Sequence, residues 1–210
     1  MLPPADNTNN NDITIQHPLD GFSSVLFDND KHTFVPATLF QNDQKEKYLD
    51  FLGLTDADSM VYADYISNAD MYNVYQISKQ EFEKLQNSPE KSDFHHAMSA
   101  LLEDLIKQNQ ERTDDTRIYL NIRNQNFEMM VLKGCSLLFD NSFRFKTKED
   151  FLYFLLFSIE QLHLDAGSVP VYFLGMIEED SKLVEITRRY VRDVRFLRKE
   201  NNILYQSTCE

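Results

Sequence analysis

Between residues 117 and 198 the hydrophobic period switches in a fixed order: three strand-like runs, a helix, a strand, a helix and a last short strand. RIYLNIR (117–123), FEMMVLK (127–133) and SLLFDNSFRF (136–145) are rich in the β-branched and aromatic residues that suit strands. KEDFLYFLLFSIEQLHL (148–164) predicts a helix, VPVYFLGMI (169–177) a strand, SKLVEITRRYVRDV (181–194) a helix and RFL (195–197) a final strand. Strands interleaved with helices place the chain in the α/β class.

The N-terminal half has the same beginning in weaker form. ITIQH (13–17) and FSSVLFD (22–28) are strand-like and are joined through Pro18, Asp20 and Gly21. HTFVPATLF (32–40) follows, and Pro36 should confine it to a sheet edge or break it, because proline cannot donate to a ladder. KEKYLDFLGL (45–54) predicts a short helix, SMVYADYI (59–66) and MYNVYQI (71–77) strands, KQEFEKLQN (79–87) a one-sided helix and FHHAMSALLEDLIKQNQ (94–110) an amphipathic helix. Residues 1–11, Pro- and Asn-rich, read as a disordered leader. NSPEKSD (87–93) and ERTDDT (111–116) are polar breaks. The expected organisation is therefore a leader 1–11, an N-terminal subdomain 12–93, a connecting helix and linker 94–116 and a C-terminal subdomain 117–205. It is a duplication of architecture without visible sequence repetition.

The helix at 148–164 is apolar almost all round beyond its first turn, so it is expected to be covered on more than one side, with two halves packed face to face. A core helix covered on one side, with a few exposed aromatics, is the alternative. Thr147 and Asp150 have the spacing of a helix N-cap and its reciprocal carboxylate.

With 42% apolar residues, 16 Phe and 10 Tyr, the chain has the material for a packed core. A net charge of −13 disfavours nucleic acid, whose binding begins with Lys and Arg on phosphates, and disfavours an anionic membrane surface. Arg188, Arg189, Arg192, Arg195, Arg198 and Lys199 crowd one region, read either as a solvated helix face near a C-terminal dipole or as an acidic-partner patch. Cys135 and Cys209 make no disulfide framework and fit a reducing cytoplasm. No export signal is present, and FLYFLLFSI (151–159) is half the length needed to span a bilayer. A soluble, cytoplasmic protein is expected.

LDGFSSVLFD (19–28), CSLLFDNSFRFKTKEDFLYFLLFSIEQLHLD (135–165) and VPVYFLGMIEEDSKLVEITRRYVRDVRFL (169–197) resemble a bacterial family catalogued only as domain of unknown function 3822. The resemblance implies an actin-like ATPase fold of two ribonuclease-H-like subdomains, of which the N-terminal one is degenerate here, and implies no known activity. It also implies where a nucleotide would bind: between the subdomains, with a D-x-G turn after the first strand of each half presenting backbone amides to phosphates and a carboxylate to Mg²⁺. The matching turn of the second half is Asn121-Ile122-Arg123-Asn124-Gln125, where Asn replaces the acid and Arg the glycine. Arg123 retains the charge to contact an anion, but its Cβ hinders the close backbone approach that glycine permits. The first half has no D-x-G; Asp20-Gly21 reads as a turn. The adenosine-binding turn of the fold wants two adjacent glycines, and Leu174-Gly175-Met176 has one.

Other groupings are weaker. His95 and His96, adjacent on a helix, would point about 100° apart and could not chelate one ion, so they are read as a solvated helix start. His163 is expected in a helix C-terminal turn. Asp28, Asp30 and Glu178–Asp180 are turn carboxylates, the latter placed before a helix. No P-loop, nucleophile elbow or dinucleotide fingerprint occurs. No catalytic, cofactor-binding or metal-ligating residue is therefore assigned, and no cofactor is expected. The leading expectation is a non-catalytic binding or scaffold protein with a protein partner, without nucleic acid or membrane. A divergent ATPase or phosphotransferase using Arg123 with Asp20 or Asp28 is the second, and an assembly subunit the third. Arg188, Arg189, Arg192 and Arg195 with Tyr65, Tyr72 and Tyr75 are the residues to inspect for a partner surface, core packing being the other reading of those tyrosines.

Overall fold

A computed structural model of the chain describes residues 12–16, 24–86, 93–110 and 114–197. The leader 1–11, Pro18, Asp20, Gly21, most of the 87–93 and half of the 111–116 polar breaks, Arg198, Lys199 and Cys209 lie outside the described residues. The chain divides into two units, one from Met1–Tyr65 and Tyr72–Ala100, the other from Ile66–Met71 and Leu101–Glu210.

The first unit holds β1 (Asp12–Gln16), β2 (Ser24–Asp28), β3 (His32–Pro36), α1 (Lys45–Phe51), β4 (Ser59–Ile66), β5 (Met71–Ser78), α2 (Lys79–Gln86), β6 (Asp93–His96) and the start of α3 (Ala97–Asn109). They form two three-stranded sheets, ordered β1-β2-β6 and β3-β5-β4. β3 sits at the edge of its sheet and stops at Pro36, whose carbonyl accepts from the Leu39 and Phe40 amides, as the proline requires. The three opening strands do not share a sheet, since β3 pairs with β5 instead of β2. The segment expected to begin the helix at residue 94 instead contains β6, parallel to β2 with Phe94 opposite Val25 and His96 opposite Phe27. Four residues are too few for a readable period. What holds them extended is the Phe94 ring, set edge-on to Phe27 at 5.7 Å.

In the second unit α3 buries Leu101, Leu102, Leu105 and Ile106. It is followed by β7 (Thr116–Ile122), β8 (Asn126–Lys133), β9 (Ser136–Arg144), α4 (Lys148–Gln161), β10 (Val171–Gly175), α5 (Lys182–Thr187) and β11 (Val194–Phe196). One mixed sheet results, ordered β11-β10-β7-β8-β9. β7, β8 and β9 form the expected antiparallel meander. β10 returns parallel to β7, and β11 parallel to β10, because a helical crossover precedes each. A bulge interrupts β9: Leu132 faces Leu137 and Val131 faces Phe139, so Leu138 has no opposite number and is exposed.

The core of this unit lies between α4, α5 and the sheet face carrying Ile118, Leu120, Ile122, Phe127, Met129 and Val131. Phe151 of α4 is fully buried among Phe127, Phe145 and Phe173, with ring centroids at 4.7, 5.6 and 6.1 Å. The reciprocal N-cap is present: Asp150 N–H donates to Thr147 Oγ1, and Asp150 accepts from the Thr147 and Lys146 amides. Those amide hydrogen bonds hold the Asp150 carboxyl below its ordinary range. At the other end His163 takes the left-handed conformation (φ 55°) usually left to glycine, with its N–H on Glu160 O and the Leu164 N–H on Ile159 O.

Two expectations need correction here. α4 is covered along one stripe, Phe151, Leu152, Leu155, Ser158 and Ile159, while Tyr153 and Phe157 are 61% and 44% exposed. The alternative of exposed aromatics is therefore the one observed. The helix expected over 181–194 ends at Thr187, whose hydroxyl bonds back to Leu183 O while the Arg192 amide turns away to Ala166 O.

Truncating Phe151 to Ala should cost about 3–5 kcal/mol in denaturant unfolding, the scale of a phenylalanine cavity among unyielding neighbours. Glu160→Ala, on the exposed side of the same helix, should change stability by less than about 0.5 kcal/mol.

Candidate functional site

Ligands of open α/β sheets bind beyond the carboxyl ends of the parallel strands, which in the second unit means the ends of β7 and β10. The two strands finish together, Gly175 opposite Ile122, and the Met176 amide donates to Ile122 O at 2.7 Å. Gly175 has φ +89°, and a Cβ built on it would lie 2.3 Å from Ile122 O and 2.7 Å from Asn121 Oδ1. The glycine is thus required by backbone closure at this corner.

Beside it stand Asn121 and Arg123, at the positions where the resemblance expects an acid and a glycine. Arg123 Nη2 donates to Glu128 Oε2 at 2.9 Å, and Asn121 Nδ2 approaches the same oxygen at 3.3 Å. Glu128 lies directly across the hairpin from Asn121 and is 1% exposed. A carboxylate taken out of water needs such partners, and the Arg123 guanidinium neutralises it. The charge expected to meet an external anion is directed into the protein. Glu128 was not among the candidate residues. Its signal is a single acid inside the otherwise apolar strand FEMMVL.

The first unit buries a second carboxylate. Asp64 of β4 accepts from the His96 amide at 2.7 Å, Ser99 Oγ at 2.6 Å and Tyr75 Oη at 3.0 Å, and His95 Nδ1 lies 3.4 Å away. The Ser99 hydroxyl oxygen in turn accepts from Asn73 Nδ2, whose carbonyl oxygen is 3.2 Å from His32 Nδ1. The His96 ring lies 4.6 Å from that of His32, and its Nδ1 accepts the Met98 amide. These bonds absorb the unpaired amides at the start of α3. Asp, His and Ser are the residue types of a hydrolytic triad, but the wiring differs. Ser99 donates straight to the carboxylate and His96 Nδ1 is engaged by backbone, so the imidazole does not stand between hydroxyl and acid as a triad needs. Burial first, and the Asp64 charge second, push the Tyr75 phenol above its ordinary value.

A depression of about 490 Å³ also opens on this unit, lined among others by Lys45, Asp50, Thr55, Asp56, Tyr62 and Gln76. Lys45 Nζ stands 5.7 Å over the Tyr62 ring, and Gln76 Oε1 accepts the Asp56 amide.

Residues 6–194 match the family described as "Protein of unknown function (DUF3822)". The chain belongs to this family. Among solved structures, the DUF3822 chain is similar to a Bacteroides thetaiotaomicron VPI-5482 protein with actin-like ATPase fold and unknown function. The TM-score is 0.79 at 20% identity, over 89% of this chain and 73% of that one. A second similarity is to a chain of the PilM-PilN type IV pilus biogenesis complex, TM-score 0.50 at 12% identity, over 79% of this chain and 65% of that one, just under two thirds. Comparison with curated proteins gave no match. The fold is thus the actin-like ATPase fold, and at these identities the likeness speaks for the fold alone.

Within that fold the remaining candidates of the DUF3822 chain separate. His95 and His96 are strand residues on opposite faces, and His96 is fully buried, so they are not a solvated helix start. Tyr75 is core, Tyr72 stacks on Phe40 at 3.8 Å, and only Tyr65 is broadly exposed. The arginines do not share one helix face: Arg189 pairs with Glu185 on α5, while Arg195 on β11 grips Asp193 and the Tyr172 hydroxyl. Glu178–Asp180 precede α5, but its cap is Ser181, whose Oγ accepts the Val184 amide. Among the described residues no three His, Cys, Asp or Glu side chains are grouped to hold a metal ion, and no helix is long and apolar enough to cross a membrane.

A side chain at position 175 has nowhere to go, so Gly175→Ala should lower stability by more than about 1 kcal/mol in denaturant melts. Tyr75 supplies a pH test. Its folded value lies above 10.0, so it contributes stability that is complete below pH 10.0 and is lost as the unfolded phenol ionises above it. Wild-type stability should fall steeply above that pH, and Tyr75→Phe should flatten the slope in urea unfolding.

Proposed function

We propose that this DUF3822 protein is a non-catalytic, cytoplasmic binding or scaffold protein that keeps the actin-like shell and has lost nucleotide binding. The observation that carries the reading is the Arg123–Glu128–Asn121 cluster. The turn that would cradle phosphates offers an amide where Mg²⁺ needs a carboxylate, and its one cation serves a buried glutamate 2.9 Å away. Drawing Arg123 outward to a phosphate would take from the buried Glu128 carboxylate the guanidinium that balances its charge, a penalty of about 3–5 kcal/mol that weak anion binding does not offset.

A protein partner is the binding class we favour. The net charge of −13 opposes polyanions, and the PilM relative is found in complex with PilN, which places a protein partner on another member of the same fold. The organisation we propose keeps an N-terminal subdomain over 12–93, a connector over 94–116 and a C-terminal subdomain over 117–205.

Isothermal titration of the purified chain with ATP and Mg²⁺ tests the loss of nucleotide binding. No saturable heat is expected. Micromolar affinity overturns the reading, and phosphate release abolished by Arg123→Ala would install the divergent-ATPase alternative in its place.

A further inference from the structure

We propose that the turn at residues 188–192, which follows α5, is a docking surface for a short acidic segment of a partner protein. Its side chains are the ones the fold leaves unused. In a chain of 34 acids and 21 bases an arginine has no shortage of carboxylates. Arg117 meets Asp115, Arg123 meets Glu128, Arg189 meets Glu185 and Arg195 meets Asp193. Arg188 and Arg192 are exposed, and among the described residues neither side chain forms an ion pair or a hydrogen bond. Tyr190 between them is 57% exposed and meets no other ring, whereas every other described tyrosine does.

A helix C-terminus favours cations through its dipole, which accounts for Arg188 and Arg189 next to Thr187, and the effect fades beyond the last turn. Arg192 lies outside it, with its amide turned to Ala166 O. The dipole does not account for an exposed tyrosine either. The backbone beneath these side chains is fixed. The Tyr190 and Val191 amides both donate to Thr187 O, at 3.0 and 2.8 Å, the Val171 amide donates to Asp193 O at 2.9 Å, and Val191 is buried in the core. A turn held in this way loses little conformational freedom when a partner settles on it. Arginine and tyrosine are also the residue types that dominate interface energies.

Charge selects the occupant. Residues 182–197 carry five bases and two acids, a local charge of +3 in a chain of −13. Both acids, Glu185 and Asp193, are already taken by Arg189 and Arg195. Physiological salt screens charges beyond about 8 Å, so a contact a few residues long senses the local sign and not the total. A nucleic acid strand is charged along its whole length and would run on to the acidic remainder of the surface. A short run of Asp and Glu around one apolar residue does not. Its carboxylates meet Arg188 and Arg192, and the apolar residue lies on the Tyr190 ring. This surface presupposes the protein partner proposed above and gives that partner a chemistry.

Fluorescence anisotropy of a labelled Asp-Glu-Phe-Glu-Asp peptide, titrated with the whole chain, should show saturable binding with a dissociation constant below about 1 mM. Arg192→Glu and Tyr190→Ala should each weaken it by about fivefold or more at unchanged circular dichroism. Lys133→Glu, the same change of net charge at an exposed position of β8, should leave it within about twofold. Absence of saturation overturns the proposal. So does indifference to Arg192→Glu and Tyr190→Ala, an equal loss with Lys133→Glu, or tighter binding of a labelled DNA strand of about 20 nucleotides through the same residues. The ATP titration is read separately: ATP affinity beside peptide binding removes the lost nucleotide site and keeps this surface, and binding of neither does the reverse.

Discussion

The contact of Phe151 with Phe127, Phe145 and Phe173 ties together the helix, the meander, its exit turn and the returning parallel strand. Each ring comes from a different element, so the contact forms only when β8 and β10 are both correctly placed around β7 and α4 has crossed back over them. Burial of apolar surface at about 25 cal/mol per Å² makes this cluster a main source of the unit's stability. Phe127 faces Ile122 at the end of β7 and the Phe145 amide bonds Gln125 O, so the cluster sits beside the Asn121–Gln125 turn and anchors that end of the sheet.

Each unit also buries a carboxylate that it hydrogen-bonds from within. Glu128 is held by a guanidinium and an amide, Asp64 by a hydroxyl, a phenol and a backbone amide. The difference in partners sets the difference in role. Arg123 and Glu128 form an ion pair on a hairpin, next to the close backbone contact at Gly175, and so stiffen one corner of the sheet. Asp64 reaches from β4 to β5, β6 and the first turn of α3, and does for that helix start what a capping side chain does elsewhere. In both places polar groups that would ordinarily signal chemistry are satisfied by other parts of the same unit, and little is left directed at solvent.

Much of the second unit was legible in the sequence because its strands and α4 are long enough for a period to show, and because Thr147 and Asp150 announce the helix start by their spacing. Elements whose cause is tertiary were not. β6 owes its extended form to Phe27 and β2, far away in the chain, so FHH read as the start of the helix that follows. α5 ends at Thr187, and five residues on the Arg192 amide bonds Ala166 O, although the apolar period continues to Val191 and Val194. The departure of the 121–125 turn from an acid-and-glycine pattern was readable from Asn121 and Arg123 by type. Their common partner Glu128 was not, since nothing local shows that a lone strand acid faces an arginine across a hairpin.

The edges of the sheets differ in a way the turns do not explain. β3 is closed by Pro36. β11 is three residues long, and Arg195 in its middle is fastened to Asp193 and Tyr172. Both are blunted by devices that edge strands commonly use. β9 is nine residues long, bulges at Leu138 near its start, and farther along turns its Ser142 N–H onto Asn141 Oδ1. These three edges are thus blunted by groups of their own unit: a proline, an arginine held by Asp193 and Tyr172, and an Asn141 side chain that takes the Ser142 N–H.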